Sequence, residues 1–256
     1  MMKLSVYIIT LNEEKRLEKT LQAATKVADE IVVVDSGSTD ATVRIADKYG
    51  AKVIFNKWES YCQQKSFAEK SCAFDWVLML DADEVLSPAL IEEISAWKTK
   101  TPEFKAYNIK IRNMFEQDLA PRRFAQSFNV VRLYNRRFAY LPPELHNKDR
   151  VRVPKDEKIG QFKALVYHYC FLNVAQAVAK YNRHSDELLK TAIAENRKFS
   201  RLRLSTEFPR QFLRYYFFKR YCLLGSQGFT QAMILAYFRF LKIAKWFEWH
   251  EKNKNS

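Results

Sequence analysis

The chain has 256 residues, 48% of them hydrophobic and only 5 glycine, so a buried core can form and a disordered, fibrous or loop-dominated protein is excluded. The net charge of +14 is uneven: residues 1–100 carry −3 and residues 101–256 carry +17. Such an asymmetry suggests a polyanionic partner, whether nucleic acid, an anionic membrane surface or a phosphorylated substrate.

Met1-Met2-Lys3 leads straight into the apolar run Leu4–Thr10, which is too short for a secretory signal and lacks its cleavage pattern. No stretch reaches the roughly 18 uncharged apolar residues of a membrane-spanning helix. Cys62, Cys72, Cys170 and Cys222 form no CxxC pair, so a reduced, cytoplasmic protein without a zinc site or disulfides is expected.

In chain order, Leu4–Thr10 predicts a strand. Asn12 is placed to cap a following helix, with Glu13 and Glu14 in its first turn and Leu17, Leu21 and Ala24 at helical spacing. Residues 30–34 read as a buried strand. Residues 36–40 are turn-like, with Ser38 or Asp40 as a helix cap, and a helix follows to Tyr49, closed by Gly50. Lys52–Phe55 is a third strand, residues 60–73 a helix and residues 76–80 a fourth strand. Ser87-Pro88 opens the next helix with a cap and a first-turn proline. Strands alternating with helices predict a mainly parallel, Rossmann-like α/β sheet flanked by helices, with ligands beyond the carboxyl ends of its strands. Three of the four strands end in polar or acidic residues: Thr10 to Glu13, Asp35 to Asp40, and Asp81 to Glu84.

From about residue 104 the pattern changes. Residues 106–114 and 130–134 predict strands, Pro142-Pro143 a turn, residues 174–197 a helix, and residues 208–249 a helical, aromatic and basic tail. The chain thus divides into an α/β domain over 1–170 and a helical extension over 171–256.

Asp81 and Asp83 lie two residues apart at the end of an apolar strand, so in an extended segment their side chains share a direction. Two such carboxylates could hold Mg²⁺ or Mn²⁺, which bridges a diphosphate and stabilises a departing nucleoside diphosphate. A lone DxD also fits a solvated acidic loop; the apolar strand before it and Glu84 beside it favour the metal. Asp35 could accept hydrogen bonds from a base or ribose, while Gly37 permits a tight turn. Neither a GxGxxG nor a Walker loop occurs, so phosphates would need the metal and basic groups, for which Lys65 and Arg132 are candidates, each taken singly being better read as a surface charge.

Together, Leu4-Ser-Val-Tyr-Ile-Ile-Thr-Leu-Asn-Glu-Glu, Val33-Val-Asp-Ser-Gly-Ser-Thr-Asp and Asp75-Trp-Val-Leu-Met-Leu-Asp-Ala-Asp-Glu resemble the family 2 glycosyltransferases, which have the GT-A fold. His168-Tyr-Cys-Phe and Lys180-Tyr181 resemble the subgroup that adds glucose to the heptose of the lipopolysaccharide inner core. The resemblance implies that Thr10, Asn12 and Glu13 line the nucleotide pocket and that Asp35 contacts uracil or ribose. It further implies that Gln64 and Lys65 lie near the donor, that Asp81 contacts ribose and metal, and that Asp83 ligates the metal. It also implies inversion at the anomeric carbon, with a carboxylate deprotonating the acceptor hydroxyl. The subgroup shows His-Glu at the base position, whereas this chain reads Pro143-Glu144-Leu145-His146-Asn147. Asn147 cannot act as a base, so Glu144 is the candidate, and His146 could orient the acceptor or cap a turn.

In the tail, Arg197, Lys198, Arg201, Arg203, Arg210, Arg214, Lys219 and Arg220 face a single acid, Glu207, over residues 197–220. Met233, Ala236, Tyr237, Phe240, Ala244 and Phe247 fall near one helical stripe. Aromatic packing as core and contact with anionic lipid headgroups and phosphorylated core sugars are both expected here. The partners expected are therefore a nucleotide sugar, a lipooligosaccharide acceptor and the inner face of the cytoplasmic membrane. No zinc finger, RNP or helix-turn-helix signature supports a nucleic acid. A nucleotidyltransferase on a similar fold, or a non-enzymatic nucleic-acid or membrane-binding module, are the alternatives.

Overall fold

A computed structural model describes residues 1–114, 118, 121–122, 125–143, 150–170 and 173–253. Contacts divide the chain into two compact units, one of Met1–Asn113 with Ser127–Tyr169 and one of Met114–Gln126 with Cys170–Ser256.

The first unit is built on an eight-stranded sheet. Its strands are β1 (Leu4–Thr10), β2 (Glu30–Asp35), β3 (Lys52–Phe55), β4 (Trp76–Asp81), β5 (Glu84–Leu86), β6 (Ala106–Asn113), β7 (Ser127–Asn135) and β8 (Gly160–His168), in the spatial order β3-β2-β1-β4-β7-β6-β8-β5. The pairs β3–β2, β2–β1, β1–β4 and β6–β8 are parallel, and β4–β7, β7–β6 and β8–β5 are antiparallel. Alternation along the strands feeds two apolar cores. Leu4, Val6, Ile8, Leu78 and Leu80 face one, together with Leu17 and Leu21 of α1 (Leu17–Ala24) and Leu90 and Ile94 of α4 (Pro88–Lys98). Tyr7, Val32, Val34, Val77 and Met79 face the other, against Ala68 of α3 (Tyr61–Lys70). A sheet apolar on both faces has to be covered on both, and the alternating helices do this. The remaining helix of this unit is α2 (Thr42–Lys48).

Local expectations hold in some places and need correction in others. Ser87 caps α4, its Oγ accepting from Leu90 N at 3.2 Å, and Pro88 opens the helix. Asn12 caps nothing: it has φ +56°, and α1 begins only at Leu17. Glu13 and Glu14 therefore stand in a preceding turn, not in the first helical turn; the Glu13 carbonyl accepts from Arg16 N and Leu17 N. Ser38 does not cap α2 either; it bonds back to Asp35, and Asp40 Oδ1 accepts from Thr42 N at 2.9 Å. Asn12 is taken by Thr39 across the chain and Ser38 by the Asp35 carboxylate three residues before it, so neither short polar side chain reaches a helix end. Strands β5 and β8 were not anticipated.

The second unit contains α5 (Val174–Ala194), α6 (Leu202–Leu213), a π-helical turn (Arg214–Phe218), a 3₁₀ turn (Tyr221–Leu224) and α7 (Gly225–Lys252). The tail is thus helical but interrupted, because Arg220 takes a left-handed conformation at φ +60°. Phe238 of α7 packs 5.1 Å from Tyr181 of α5, and Phe229 packs 5.6 Å from Phe212 of α6. The buried positions of α7 include Ala232, Ala236, Ile243 and Trp246, whereas Met233 and Tyr237 of the expected stripe are exposed.

Candidate active site

The registers of β1, β2 and β4 bring Thr10 opposite Asp35 and Ile9 opposite Asp81, so the acidic strand ends share one edge of the sheet. At the end of β4, Asp81 Oδ1 lies 2.7 Å from Lys65 Nζ on α3, and Oδ2 lies 3.3 Å from Arg132 Nη2 on β7. The same Nη2 is 2.6 Å from Glu84 Oε1, and Asp81 N donates to Glu84 Oε2 at 3.0 Å. Lys65, Arg132 and Glu84 are all buried. Desolvation alone would raise the Asp81 pKa, but Lys65 and Arg132 outweigh it and hold the group well below the usual carboxylate range. For Glu84, burial prevails over Arg132 and the pKa is raised. Buried charge here is thus compensated in one connected cluster of two carboxylates and two cations.

Asp83 does not continue the strand. The chain turns at Ala82-Asp83 before β5, a turn pinned by Thr20 Oγ1 donating to the Ala82 carbonyl at 2.9 Å. The expectation that Asp81 and Asp83 point the same way along an extended segment is therefore corrected. Asp83 Oδ2 lies 3.2 Å from Arg16 Nη1, and Oδ1 lies 3.4 Å from His168 Nε2. Arg16 is itself held by Glu13, whose two oxygens accept from its Nε and Nη2 at 2.7 and 2.6 Å. His168 ends β8, where pairing sets it opposite Glu84 on one side and Asn113 on the other; its Nδ1 is 3.0 Å from Asn113 Oδ1.

The third acidic strand end is a closed loop. Asp35 Oδ2 accepts from Gly37 N and Ser38 N, each at 2.8 Å, and Oδ1 accepts from Thr10 Oγ1 at 3.0 Å and from Ser38 Oγ. Gly37 has φ +102°, a conformation that favours glycine. Asn12 joins this loop, its N donating to Ser38 Oγ at 2.8 Å and its Oδ1 accepting from Thr39 N at 2.9 Å. Gln64, fully buried, donates from Nε2 to Ser36 Oγ at 2.9 Å and accepts at Oε1 from Asn56 Nδ2 at 2.7 Å. A carboxylate has about four acceptor sites. Asp35 uses them on Thr10 of β1 and on its own loop.

Asp81, Lys65 and Arg132 therefore meet directly, Asp83 meets Glu13 through Arg16, and Thr10, Asn12, Asp35 and Gln64 form the adjoining loop. Glu144, His146 and Asn147 lie outside the described residues. Sequence reasoning placed Glu84 beside the acidic pair but missed Arg16 as a member of the cluster and His168 as the neighbour of Asp83. A Glu13–Arg16 spacing of three residues and the alternation Phe162, Ala164, Val166 in β8 were the available signals.

Comparison with known proteins shows the family. The chain belongs to the glycosyl transferase family 2, whose model matches residues 5–151, and its sheet is the GT-A fold. It is 40% identical to an uncharacterised glycosyltransferase of Rickettsia typhi, over 100% of this chain and 90% of that protein. It is 28% identical to the lipopolysaccharide core biosynthesis glycosyltransferase LpsC of Rhizobium meliloti, over 96% of this chain and 93% of that protein. Among solved structures, S. aureus TarS matches with a TM-score of 0.47 at 15% identity, over 91% of this chain and 55% of that one. Glucosyl-3-phosphoglycerate synthase from Mycobacterium tuberculosis matches with a TM-score of 0.35 at 21% identity, over 45% of each chain. Family membership decides for glycosyl transfer over nucleotidyl transfer or a non-enzymatic module.

Proposed function

We propose that the chain is an inverting, divalent-cation-assisted hexosyltransferase that moves glucose from UDP-glucose to a heptose of the lipopolysaccharide inner core. The carrying observation is the strand-end cluster, in which Asp81 stands between Lys65 and Arg132, and Asp83 between Arg16 and His168. The likeness to LpsC supports a core-oligosaccharide acceptor.

The residues fit a hard cation. His168 Nδ1 lies 3.0 Å from Asn113 Oδ1 and its Nε2 lies 3.4 Å from Asp83 Oδ1, so an imidazole nitrogen and a carboxylate oxygen, each able to ligate a divalent cation, meet at this point. Among the described residues no group of three His, Cys, Asp or Glu is arranged to hold a metal. Asp83, with Asp81 and His168 beside it, would thus leave much of the coordination shell to diphosphate and water, as Mg²⁺ and Mn²⁺ sites favour. The bound ion would offset the charge that develops on the departing nucleoside diphosphate.

Lys65 and Arg132 keep Asp81 anionic, leaving it ready to accept from the ribose, with Arg132 a candidate for the phosphates. Thr10, Asn12, Glu13, Asp35 and Gln64 shape the wall of the nucleotide pocket. Glu144 takes the proton of the acceptor hydroxyl, and His146 orients that acceptor. The acceptor oxygen then bonds to C1 while the bond from C1 to the diphosphate oxygen breaks, its electron pair leaving with UDP. General-base help of this kind contributes ~10²–10⁴ in rate. The basic second half meets the phosphorylated lipid A-core acceptor at the inner face of the cytoplasmic membrane; no nucleic acid is required.

The test is a screen of nucleotide sugars for turnover with a heptose-terminated core acceptor, with and without Mn²⁺. UDP-glucose should be consumed in a Mn²⁺-dependent way, and Asp83→Ala should abolish this. A variant that matched wild type would sink the metal assignment, and preference for another nucleotide sugar would sink the donor.

A further inference from the structure

The connection between α6 and α7 turns apolar side chains outward. Leu213 is 48% exposed, Phe217 55%, Phe218 83% and Leu223 56%. The backbone explains why. The π-helical turn Arg214–Phe218 breaks the spacing of α6, so Tyr215 and Tyr216 pack inward against the core of Tyr221, Leu224 and Ala232 while Phe217 and Phe218 face out. Arg220, left-handed at φ +60°, then reverses the chain into α7. Two adjacent exposed phenylalanines in a folded unit are unfavourable in water, since each removes a large apolar area from solvent only when something covers it.

Charge indicates what covers them. Arg214, Lys219 and Arg220 stand among these residues and are exposed. Across residues 208–247 there is no Asp or Glu, against Arg210, Arg214, Lys219, Arg220, Arg239, Lys242 and Lys245. A protein partner would need an acidic rim of matching shape, whereas an anionic bilayer interface offers diffuse negative charge above an apolar layer. No helix among the described residues is long and apolar enough to cross a membrane, so the contact is interfacial.

We infer that the α6–α7 turn is a membrane-insertion tip, in which Leu213, Phe217, Phe218 and Leu223 enter the acyl boundary of an anionic bilayer and Arg214, Lys219 and Arg220 engage its headgroup phosphates. This deepens the membrane-surface partner proposed above and rests on it. Vesicle binding is read without sugar transfer, however, so the tip and the glycosyl-transfer chemistry fail separately.

The experiment is co-sedimentation of the full chain with vesicles of phosphatidylcholine alone or of phosphatidylcholine mixed with phosphatidylglycerol, whose headgroups give the surface its negative potential. Wild type should partition to the anionic vesicles, and less so as salt rises. The double variant F217S/F218S should lose about tenfold or more of that partitioning. Arg214→Gln and Lys219→Gln should each lose about fivefold. Melting temperature and thermal stabilisation by UDP-glucose, measured without lipid, should be unchanged in all of them, which separates loss of the tip from loss of the fold. Wild-type failure to bind anionic vesicles, or equal binding by F217S/F218S, would overturn the assignment. So would a lipid-free dimer that the double variant dissolves, which would give this surface to a second copy of the chain.

Discussion

Asp81 and Asp83 look equivalent as a motif, yet their surroundings set different costs of substitution. Asp81 compensates Lys65 and Arg132, whose side chains are 2% and 6% exposed. Removing one partner of a buried ion pair typically costs about 3–5 kcal/mol, and less where, as for Arg132 beside Glu84, a second carboxylate remains. Asp81→Asn should therefore lower the melting temperature by several degrees as well as activity, and the two losses would be confounded. Asp83 meets Arg16, which Glu13 also holds, so Asp83→Asn should reduce turnover by ~10² or more with little change in melting temperature, as thermal denaturation beside a turnover assay would show. Away from the site, Asp29 supplies a pH test. Desolvation tends to raise its pKa, but Lys98, the Leu4 amide and Lys3 hold it at about 2, below the usual 3.8. A depressed carboxyl stabilises the fold fully above its unfolded pKa and loses that contribution as pH falls through the folded value. The stability gap between wild type and Asp29→Asn should be about 2 kcal/mol at pH 6 and should close between pH 3.8 and about 2, as denaturant melts across that range would show.

Strand β8 delivers His168 to Asp83 and pairs with both β5 and β6, so the site depends on an element far along the chain from the acidic motifs. Its first residue is Gly160, where an added Cβ would lie 2.4 Å from Tyr107 Cδ1 and 2.7 Å from Phe104 Cδ2. Tyr107 is packed among Trp97, Phe104 and Phe162 and has little room to move. Gly160→Ala should cost about 1–3 kcal/mol by overpacking, seen as a lower midpoint in urea, and should weaken activity through β8 without touching a site residue. In the second unit, a Cβ on Gly228 would lie 2.0 Å from the Tyr221 carbonyl oxygen, a backbone atom that cannot swing aside. Gly228→Ala should disturb the 3₁₀ turn ahead of α7, and a loss of helical signal on mild heating would report it. The α/β alternation of the first hundred residues was legible because each element carries its own periodicity. In strand β8 Phe162, Ala164 and Val166 alternate with polar or partly exposed neighbours, but Leu165 between them blurs the period, and β5 has only three residues, too few for a periodic signal.

At the scale of the molecule, the first unit brings together every described residue of the proposed donor site, so nucleotide-sugar binding should register as stability of that unit. UDP-glucose at about 100 times its dissociation constant should stabilise the folded state by roughly 2.7 kcal/mol when Mn²⁺ is present. Chelation, or Asp83→Asn, should remove most of that gain; a calorimetric melt measures it directly. The second unit gathers Met114–Gln126 as well as the C-terminal helices, with Tyr221 Oη donating to Gln126 Oε1 at 2.8 Å and Arg122 Nη1 to the Leu224 carbonyl at 3.1 Å. No composition change near residue 114 announces that excursion.

What the sequence determined by itself was local: the strand–helix alternation, the polar residues at the strand ends, the cap at Ser87 and the basic character of the tail. Hydrophobic period, capping chemistry and charge are all read within a few residues. Only the tertiary structure decided which side chains meet. It gave Asn12 and Ser38 to the Asp35 loop instead of to helix ends, divided Asp81 from Asp83 at a turn, and brought Arg16, Arg132 and His168 to those two carboxylates from distant elements. The reason is physical. A carboxylate's partner is whichever cation the sheet register and helix packing place within about 3 Å, and neither register nor packing is written in the spacing of neighbouring residues.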